Sequence, residues 1–289
     1  MGEKMKGIIL AGGQGSRLYP LTKTISKHLL PVYDKPLIYY PLSTLMLAGI
    51  RDILIISDRE NLQSYKKLFK DGSPYGVKIS YEVQDKPKGI AEAFIIGEKF
   101  IGKSRCALIL GDNIFYGNEL KKILNKAKKF KKGSFVLLYQ VRNPENFGVA
   151  NIKNNKLISI VEKPKKPKSK YAITGLYFYD NDICKIAKKI KPSRRGELEI
   201  SSINQYYLKR NRLKFDILGR GNAWLDTGTF ESLIDAGQFV RTIEKRQGFK
   251  ISCPEEISFR NGWLNKKDIY EIAKKIKDVN YKKYLLNLK

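Results

Sequence analysis

The chain has 289 residues, 42% hydrophobic and 11% aromatic, and its 56 Lys and Arg against 28 Asp and Glu give a formal net charge of +28. That apolar content can fill a packed core and excludes a disordered chain. The basic residues are spread from Lys4 to Lys289, in pairs that suit solvated helix faces, which argues against a nucleic-acid groove.

No apolar stretch reaches the roughly 18 residues of a membrane span, and residues 7–11 are too short for a secretion-signal core, so a cytoplasmic protein with no membrane partner is expected. Cys106, Cys184 and Cys253 are odd in number, far apart and free of C-x-x-C spacing, so they read as buried, reduced thiols. His28 is the sole histidine, which leaves catalysis to carboxylates, Lys and Arg. No fixed-period repeat is present, and one continuous core is expected.

In chain order, residues 6–11, 53–57 and 106–110 are short apolar runs that predict buried parallel strands. Residues 41–48, 61–69 and 89–100 carry helical apolar spacing between them, so right-handed crossovers and a doubly wound sheet follow. Residues 134–141, 147–152 and 157–161 lie close together and are joined by turn residues, which predicts antiparallel hairpins extending the sheet. The run from Lys163 to Lys168 contains two prolines and predicts an exposed, extended loop. From about Thr229 the pattern is helical, with Leu233, Ala236, Gly237 and Val240 at three-and-four spacing, repeated by Ile269, Ile272, Ala273 and Ile276.

Leu10-Ala11-Gly12-Gly13-Gln14-Gly15-Ser16-Arg17 follows the first strand directly. A glycine turn there lets backbone N–H groups approach phosphate oxygens, although an ordinary tight turn reads the same way. Leu18 stands where a dinucleotide fingerprint needs its third glycine, and the Gly-Lys-Ser/Thr of a P-loop is missing. Lys27 either reaches the same phosphates as Arg17 or snorkels to the surface. Asp112 lies past the strand at 106–110, at the carboxyl end of the sheet where ligands of open α/β sheets bind. Asp226 either shares one Mg²⁺ with Asp112 or caps the helix that follows, a role Thr229 fills equally well.

The fragments at 7–17 (Gly-Ile-Ile-Leu-Ala-Gly-Gly-Gln-Gly-Ser-Arg), 26–36 (Ser-Lys-His-Leu-Leu-Pro-Val-Tyr-Asp-Lys-Pro) and 39–51 are joined by Leu-Gly-Asp-Asn at 110–113 and Glu-Lys-Pro at 162–164. Residues 174–180, Arg-Gly-Glu-Leu-Glu-Ile at 195–200 and Trp-Leu-Asp-Thr-Gly-Thr at 224–229 complete the set. Together they resemble the glucose-1-phosphate thymidylyltransferases, a branch of the sugar nucleotidyltransferases, over nearly the entire chain. The resemblance implies a Rossmann-like, mixed but mostly parallel central sheet flanked by helices, with an antiparallel sugar-side extension and C-terminal helices. It implies one domain over 1–289, divided into a nucleotide-binding half (1–133), a sugar-binding half (134–228) and a helical assembly or regulatory segment (229–289).

The implied reaction is direct in-line attack of glucose 1-phosphate on dTTP with Mg²⁺, giving dTDP-glucose and pyrophosphate toward dTDP-rhamnose or related deoxysugars of cell-surface polysaccharides. Arg17, Lys27 and Lys163 would be catalytic, and Asp112 and Asp226 would hold the metal. Leu10, Gly12, Gly13, Gly15, Ser16, His28, Gln84 and Gly89 would bind the nucleotide, and Gly148, Glu162 and Ile173 the sugar. On the residues alone, Gln84 equally suits a surface turn and Glu162 a pairing with a neighbouring Lys. A regulatory site for dTDP-rhamnose would draw on Tyr116, Gly117, Gly219, Arg220, Glu256, Ile257 and Arg260, in a homotetramer. The family usually has Gln at His28, Tyr at Phe147 and an acid at Val161, and protonation of His28 is expected to add pH dependence near neutrality. A UTP-dependent uridylyltransferase and a non-catalytic nucleotide-sugar sensor are the competing readings.

Overall fold

The apolar runs become strands because alternate residues find a core on each side. In the computed structural model, which describes residues 5–289, β1 (Met5–Leu10) leads to a ribbon of β2 (Pro31–Val32) and β3 (Lys35–Pro36). Then come α1 (Tyr39–Leu47), β4 (Asp52–Ser57), α2 (Leu62–Phe69), β5 (Lys78–Val83), α3 (Glu92–Ile96), α4 (Glu98–Ile101) and β6 (Arg105–Leu110). The chain continues through β7 (Asn113–Gly117), α5 (Leu120–Lys129), β8 (Ser134–Gln140), β9 (Gly148–Lys153), β10 (Lys156–Glu162) and β11 (Tyr171–Tyr179). It closes with α6 (Ile183–Ala187), α7 (Ile200–Leu208), β12 (Leu213–Ile217), β13 (Asn222–Asp226), α8 (Phe230–Gln247), α9 (Pro254–Arg260), α10 (Lys266–Lys275) and α11 (Val279–Leu286).

Strands run in the order β10-β9-β11-β6-β1-β4-β5, with β8 and β12 continuing the same sheet beside β11. β6, β1, β4 and β5 are parallel, and Ile8 of β1 stands between Leu54 and Leu108. Ile9, Ile53, Ile55 and Ile109 face one way, onto Leu42 and Leu45 of α1 and Tyr65 and Phe69 of α2. Ile8, Leu54, Ile56 and Leu108 face the other, onto Phe94 of α3 and Ile200 and Ile203 of α7. Each fully buried Ile or Leu of this kind contributes roughly 1.5–3 kcal/mol, so the parallel strands anchor the molecule. Mixed α/β architecture with a largely parallel centre agrees with the sequence expectation, and all three cysteines are buried and free. Among the described residues, no helix is long and apolar enough to cross a membrane.

Two expectations change. β8 does not form a hairpin with β9; it pairs antiparallel with β11 and parallel with β12. Only β9 and β10 make the hairpin, turning at Asn154 and Asn155, both with positive φ. β11 takes the place beside β8 because its residues are buried on both faces, a pattern without the alternation that marks a half-exposed strand. The helix expected at 89–100 starts at Glu92 and breaks at Gly97, where a Cβ would stand 3.1 Å from Ile8 Cδ1, so the close packing on β1 divides α3 from α4.

Candidate active site

The glycine turn leaves β1 at the carboxyl end of the parallel strands, anchored by a hydrogen bond from Ala11 N–H to the Ile56 carbonyl (2.7 Å). Gly13 has φ +105°, a conformation that favours glycine, and a Cβ at Gly12 would lie 2.5 Å from Gln84 Oε1. Ser16, Arg17 and Leu18 form a 3₁₀ turn, with Leu18 buried beneath it. The Arg17 guanidinium lies over Gly228, whose absent side chain makes room for it. Lys27 begins a further 3₁₀ turn, and its ammonium pairs with Asp112. At 16% side-chain exposure Lys27 points inward, which removes the snorkelling alternative.

His28 is buried beneath this turn. Ser26 Oγ accepts hydrogen bonds from Tyr65 Oη (2.8 Å) and the His28 N–H (3.4 Å) and lies 3.1 Å from His28 Nδ1. With both incoming bonds accepted, the serine hydroxyl is free to donate to Nδ1. Burial, reinforced by the Lys27 charge, lowers the His28 pKa to about 3. The ring is therefore neutral throughout the neutral range, and the expected titration there is corrected: burial prevails over the partly compensating Asp112 charge.

Two carboxylates meet because β7 and β13 pair antiparallel with Asn113 opposite Asp226. Thr227 fastens the junction, donating from both its N–H (3.1 Å) and its hydroxyl (2.8 Å) to the Asp112 carbonyl. Burial opposes ionisation of Asp112, but the Lys27 ammonium and the Asn113 amide hold its pKa well below the usual carboxylate range. Asp226 is the opposite case. Burial and the adjacent Asp112 charge push it up to about 6, only partly offset by Lys27 and Arg17. Its Oδ1 is buried without a hydrogen-bond partner. Thr229, not Asp226, caps α8, through a reciprocal capping box with Ser232.

A cavity of about 420 Å³ opens beside these groups, reached by Arg17, Gly148, Glu162, Lys163, Ile173 and Asp226 of the expected set. Gly148 and Glu162 are partners in the β9–β10 register, and Lys163 follows with φ 41°, its N–H on the Phe147 carbonyl (3.0 Å). Burial raises the Glu162 pKa. Gln84 lies against Gly12, and Leu10, Gly13, Gly15 and Ser16 belong to the same turn. Gly89 packs on Leu198, where the two loops exchange main-chain bonds: Leu198 N–H to the Lys88 carbonyl (2.6 Å) and Ala91 N–H to the Leu198 carbonyl (3.1 Å).

Sequence reasoning missed residues that build this wall. Asn113 Oδ1 accepts from Trp224 Nε1 (2.6 Å) and from the Gly175 N–H (3.0 Å), while its amide donates to Asp112 Oδ1 (3.0 Å). Tyr177, Ser201 and Asn204 also line the cavity, and Phe147 packs on Trp224 with ring centroids 5.2 Å apart. Asn113 and Trp224 sit inside motifs already noted, but nothing local to them signals a bond across 111 residues. The seven regulatory candidates fall into two groups. Tyr116 and Gly117 on β7 pair with β13 just past the turn that carries Gly219 and Arg220, and that turn borders a cavity of about 630 Å³. Glu256, Ile257 and Arg260 lie on α9, where Arg260 pairs with Glu256 (2.6 Å) and borders a different cavity, of about 510 Å³.

The nucleotidyl transferase family model matches residues 6–243. The chain is 56% identical to a glucose-1-phosphate thymidylyltransferase of Neisseria meningitidis, covering 98% of this chain and 99% of that protein, and 52% identical, over 98% and 99%, to one of Mycobacterium tuberculosis. The chain belongs to the nucleotidyl transferase family, among the glucose-1-phosphate thymidylyltransferases. A Bacillus anthracis crystal structure assigned as a glucose-1-phosphate thymidylyltransferase, in complex with a sucrose, superimposes with TM-score 0.77 at 48% identity, over 82% of this chain and 95% of that one. A UDP-glucose pyrophosphorylase complexed with UDP-glucose superimposes with TM-score 0.74 at 28% identity, over 83% and 99%. Within this family frame, Asp112, Asp226 and the cavity lie inside the matched residues, and α9 to α11 lie beyond them.

Proposed function

We propose that this chain transfers a thymidylyl group from dTTP to glucose 1-phosphate, releasing pyrophosphate and forming dTDP-glucose. The observation that carries the reading is the pair of buried carboxylates at the sheet's carboxyl end, facing Arg17 and Lys27 beside a sugar-sized cavity. The glucosyl phosphate oxygen attacks the α-phosphorus of dTTP, the bond to the β-phosphate oxygen breaks, and pyrophosphate leaves in line. Two like charges 4 Å apart repel by roughly 4 kcal/mol at an effective dielectric of 20, so fixed cations must gather these anions. Arg17 and Lys27 serve the triphosphate and Lys163 the sugar phosphate. The glycine turn, His28, Gln84 and Gly89 hold the nucleotide, and Gly148, Glu162 and Ile173 the hexose. Positioning and preorganised charge supply the catalysis.

Asp226, with a buried oxygen lacking a partner and a raised pKa, and Asp112 beside it form a hard-oxygen pair that fits Mg²⁺. Asp112 and Asp226 would hold the metal, which would neutralise phosphate oxygens, and Lys27, paired with Asp112, would add its charge beside the triphosphate. Two carboxylates suffice, because magnesium keeps water and phosphate ligands of its own.

The proposal extends to one nucleotidyltransferase domain with the three segments at 1–133, 134–228 and 229–289, a cytoplasmic location, a homotetramer, feedback by dTDP-rhamnose at the residues named above, and no nucleic-acid partner. Greater likeness to the thymidylyltransferases than to UDP-glucose pyrophosphorylase favours dTTP over UTP. Pyrophosphate release from glucose 1-phosphate, assayed with dTTP or UTP and with Mg²⁺ added or withheld, tests it. Metal-dependent turnover preferring dTTP is expected; preference for UTP, or no turnover, refutes it.

A further inference from the structure

We infer that Glu92 determines which pyrimidine the nucleotide end accepts, by fixing the orientation of the Gln84 amide; this rests on the proposal that Gln84 faces the base. Gln84 follows β5 directly, and its N–H is pinned to the Ser57 carbonyl (2.8 Å) at the end of the parallel strands. The residue is 5% exposed. Its Nε2 donates to Glu92 Oε2 (2.8 Å), and that same oxygen accepts the backbone N–H of Lys88 (3.1 Å). An oxygen already receiving a peptide N–H is an acceptor, so the amide can present only its nitrogen there. The two ends of a glutamine amide look alike in shape; here the chemistry of Glu92 distinguishes them.

Gln84 Oε1 is thereby turned toward Gly12, 2.5 Å from where a Cβ would stand, so only glycine at that position leaves room for the carbonyl. A carbonyl fixed in that direction complements the N3–H of thymine or uracil. Cytosine presents an unprotonated N3 at the same place, and two acceptors would face each other. Leaving such a buried acceptor unpaired corresponds to about a 10- to 100-fold loss in affinity. Because Glu92 also holds the Lys88 backbone, one carboxylate sets both the amide and the approach to Gly89. Glu92 is a positioning residue and touches no reacting atom.

The test is steady-state kinetics of the full chain with glucose 1-phosphate and either dTTP or dCTP, for the wild type, Glu92→Ala and Gln84→Ala, with calorimetric binding of both nucleotides. Alanine at position 92 removes the acceptor, so the orientation is released. For Glu92→Ala, the KM for dTTP should rise about tenfold with kcat within about twofold, and the dTTP-over-dCTP ratio of kcat/KM should narrow at least tenfold. A partly unfolded sample lowers kcat for both nucleotides and leaves KM and the calorimetric affinity unchanged. An unchanged ratio in Glu92→Ala, alongside a raised KM in Gln84→Ala, overturns the role of Glu92 alone. An unchanged dTTP affinity in Gln84→Ala overturns the placement of the base itself, and the inference with it.

Discussion

Asp226 is the residue at which stability and chemistry pull apart. Its folded pKa, about 6, lies above the ordinary 3.8, so the folded state holds the proton more tightly than the unfolded chain. The resulting stabilisation is complete below the unfolded value and is lost as pH rises through about 6. At pH 8 the ionised carboxylate therefore costs the apo fold on the order of 2–3 kcal/mol. Asp226→Asn should melt several degrees above the wild type at pH 8, with the difference fading by pH 4, while turnover falls about 10²- to 10³-fold. Added Mg²⁺ should raise the melting temperature of the wild type and not that of the variant. Scanning calorimetry at the two pH values, with and without Mg²⁺, decides the matter. Asp112 was legible in the sequence because it follows an apolar strand, and Asp226 because it sits in the Trp-Leu-Asp-Thr-Gly-Thr run before a helix. The neutrality of His28 was not, since it depends on burial under a turn, reinforced by the Lys27 charge.

Among elements, the β7–β13 ribbon makes the site, and it is held by a side chain as well as by its own ladder. β11 shifts register between Ile173 and Tyr177, and Asn113 reaches the Gly175 N–H inside that irregularity. Asn113→Ala would strand two buried donors, on Trp224 and Gly175, each at about 1–3 kcal/mol. Urea denaturation should show a loss of roughly 2–5 kcal/mol. A loss below about 1 kcal/mol would show that water replaces the amide. Parallel strands β1, β4 and β6 could be read from the sequence as apolar runs separated by helical spacing. The partners of β8, and the pairing of β7 with β13, could not, because distant pairing leaves no local periodicity.

At the scale of the molecule, the first ribbon and the C-terminal helices are tied by a four-member charge cluster. Lys35 pairs with Asp34 (2.5 Å) and Glu244 (3.4 Å), and Lys250 with Asp34 (2.5 Å) and Glu244 (2.8 Å). Glu244 also accepts the Ile251 N–H (2.8 Å), which fixes the turn out of α8. Glu244→Gln leaves the buried ammonium of Lys35 and the half-buried one of Lys250 on one carboxylate and should lower stability by about 1–3 kcal/mol, measured by chemical denaturation. This cluster was illegible beforehand, since its members are 216 residues apart and read singly as surface charges. The bonds that Leu198 makes with Lys88 and Ala91 have a mechanical consequence. They stitch a loop from the N-terminal half to one from the middle of the chain, so neither flap can swing outward without tearing the seam. Displacing either loop therefore costs the main-chain hydrogen bonds of both.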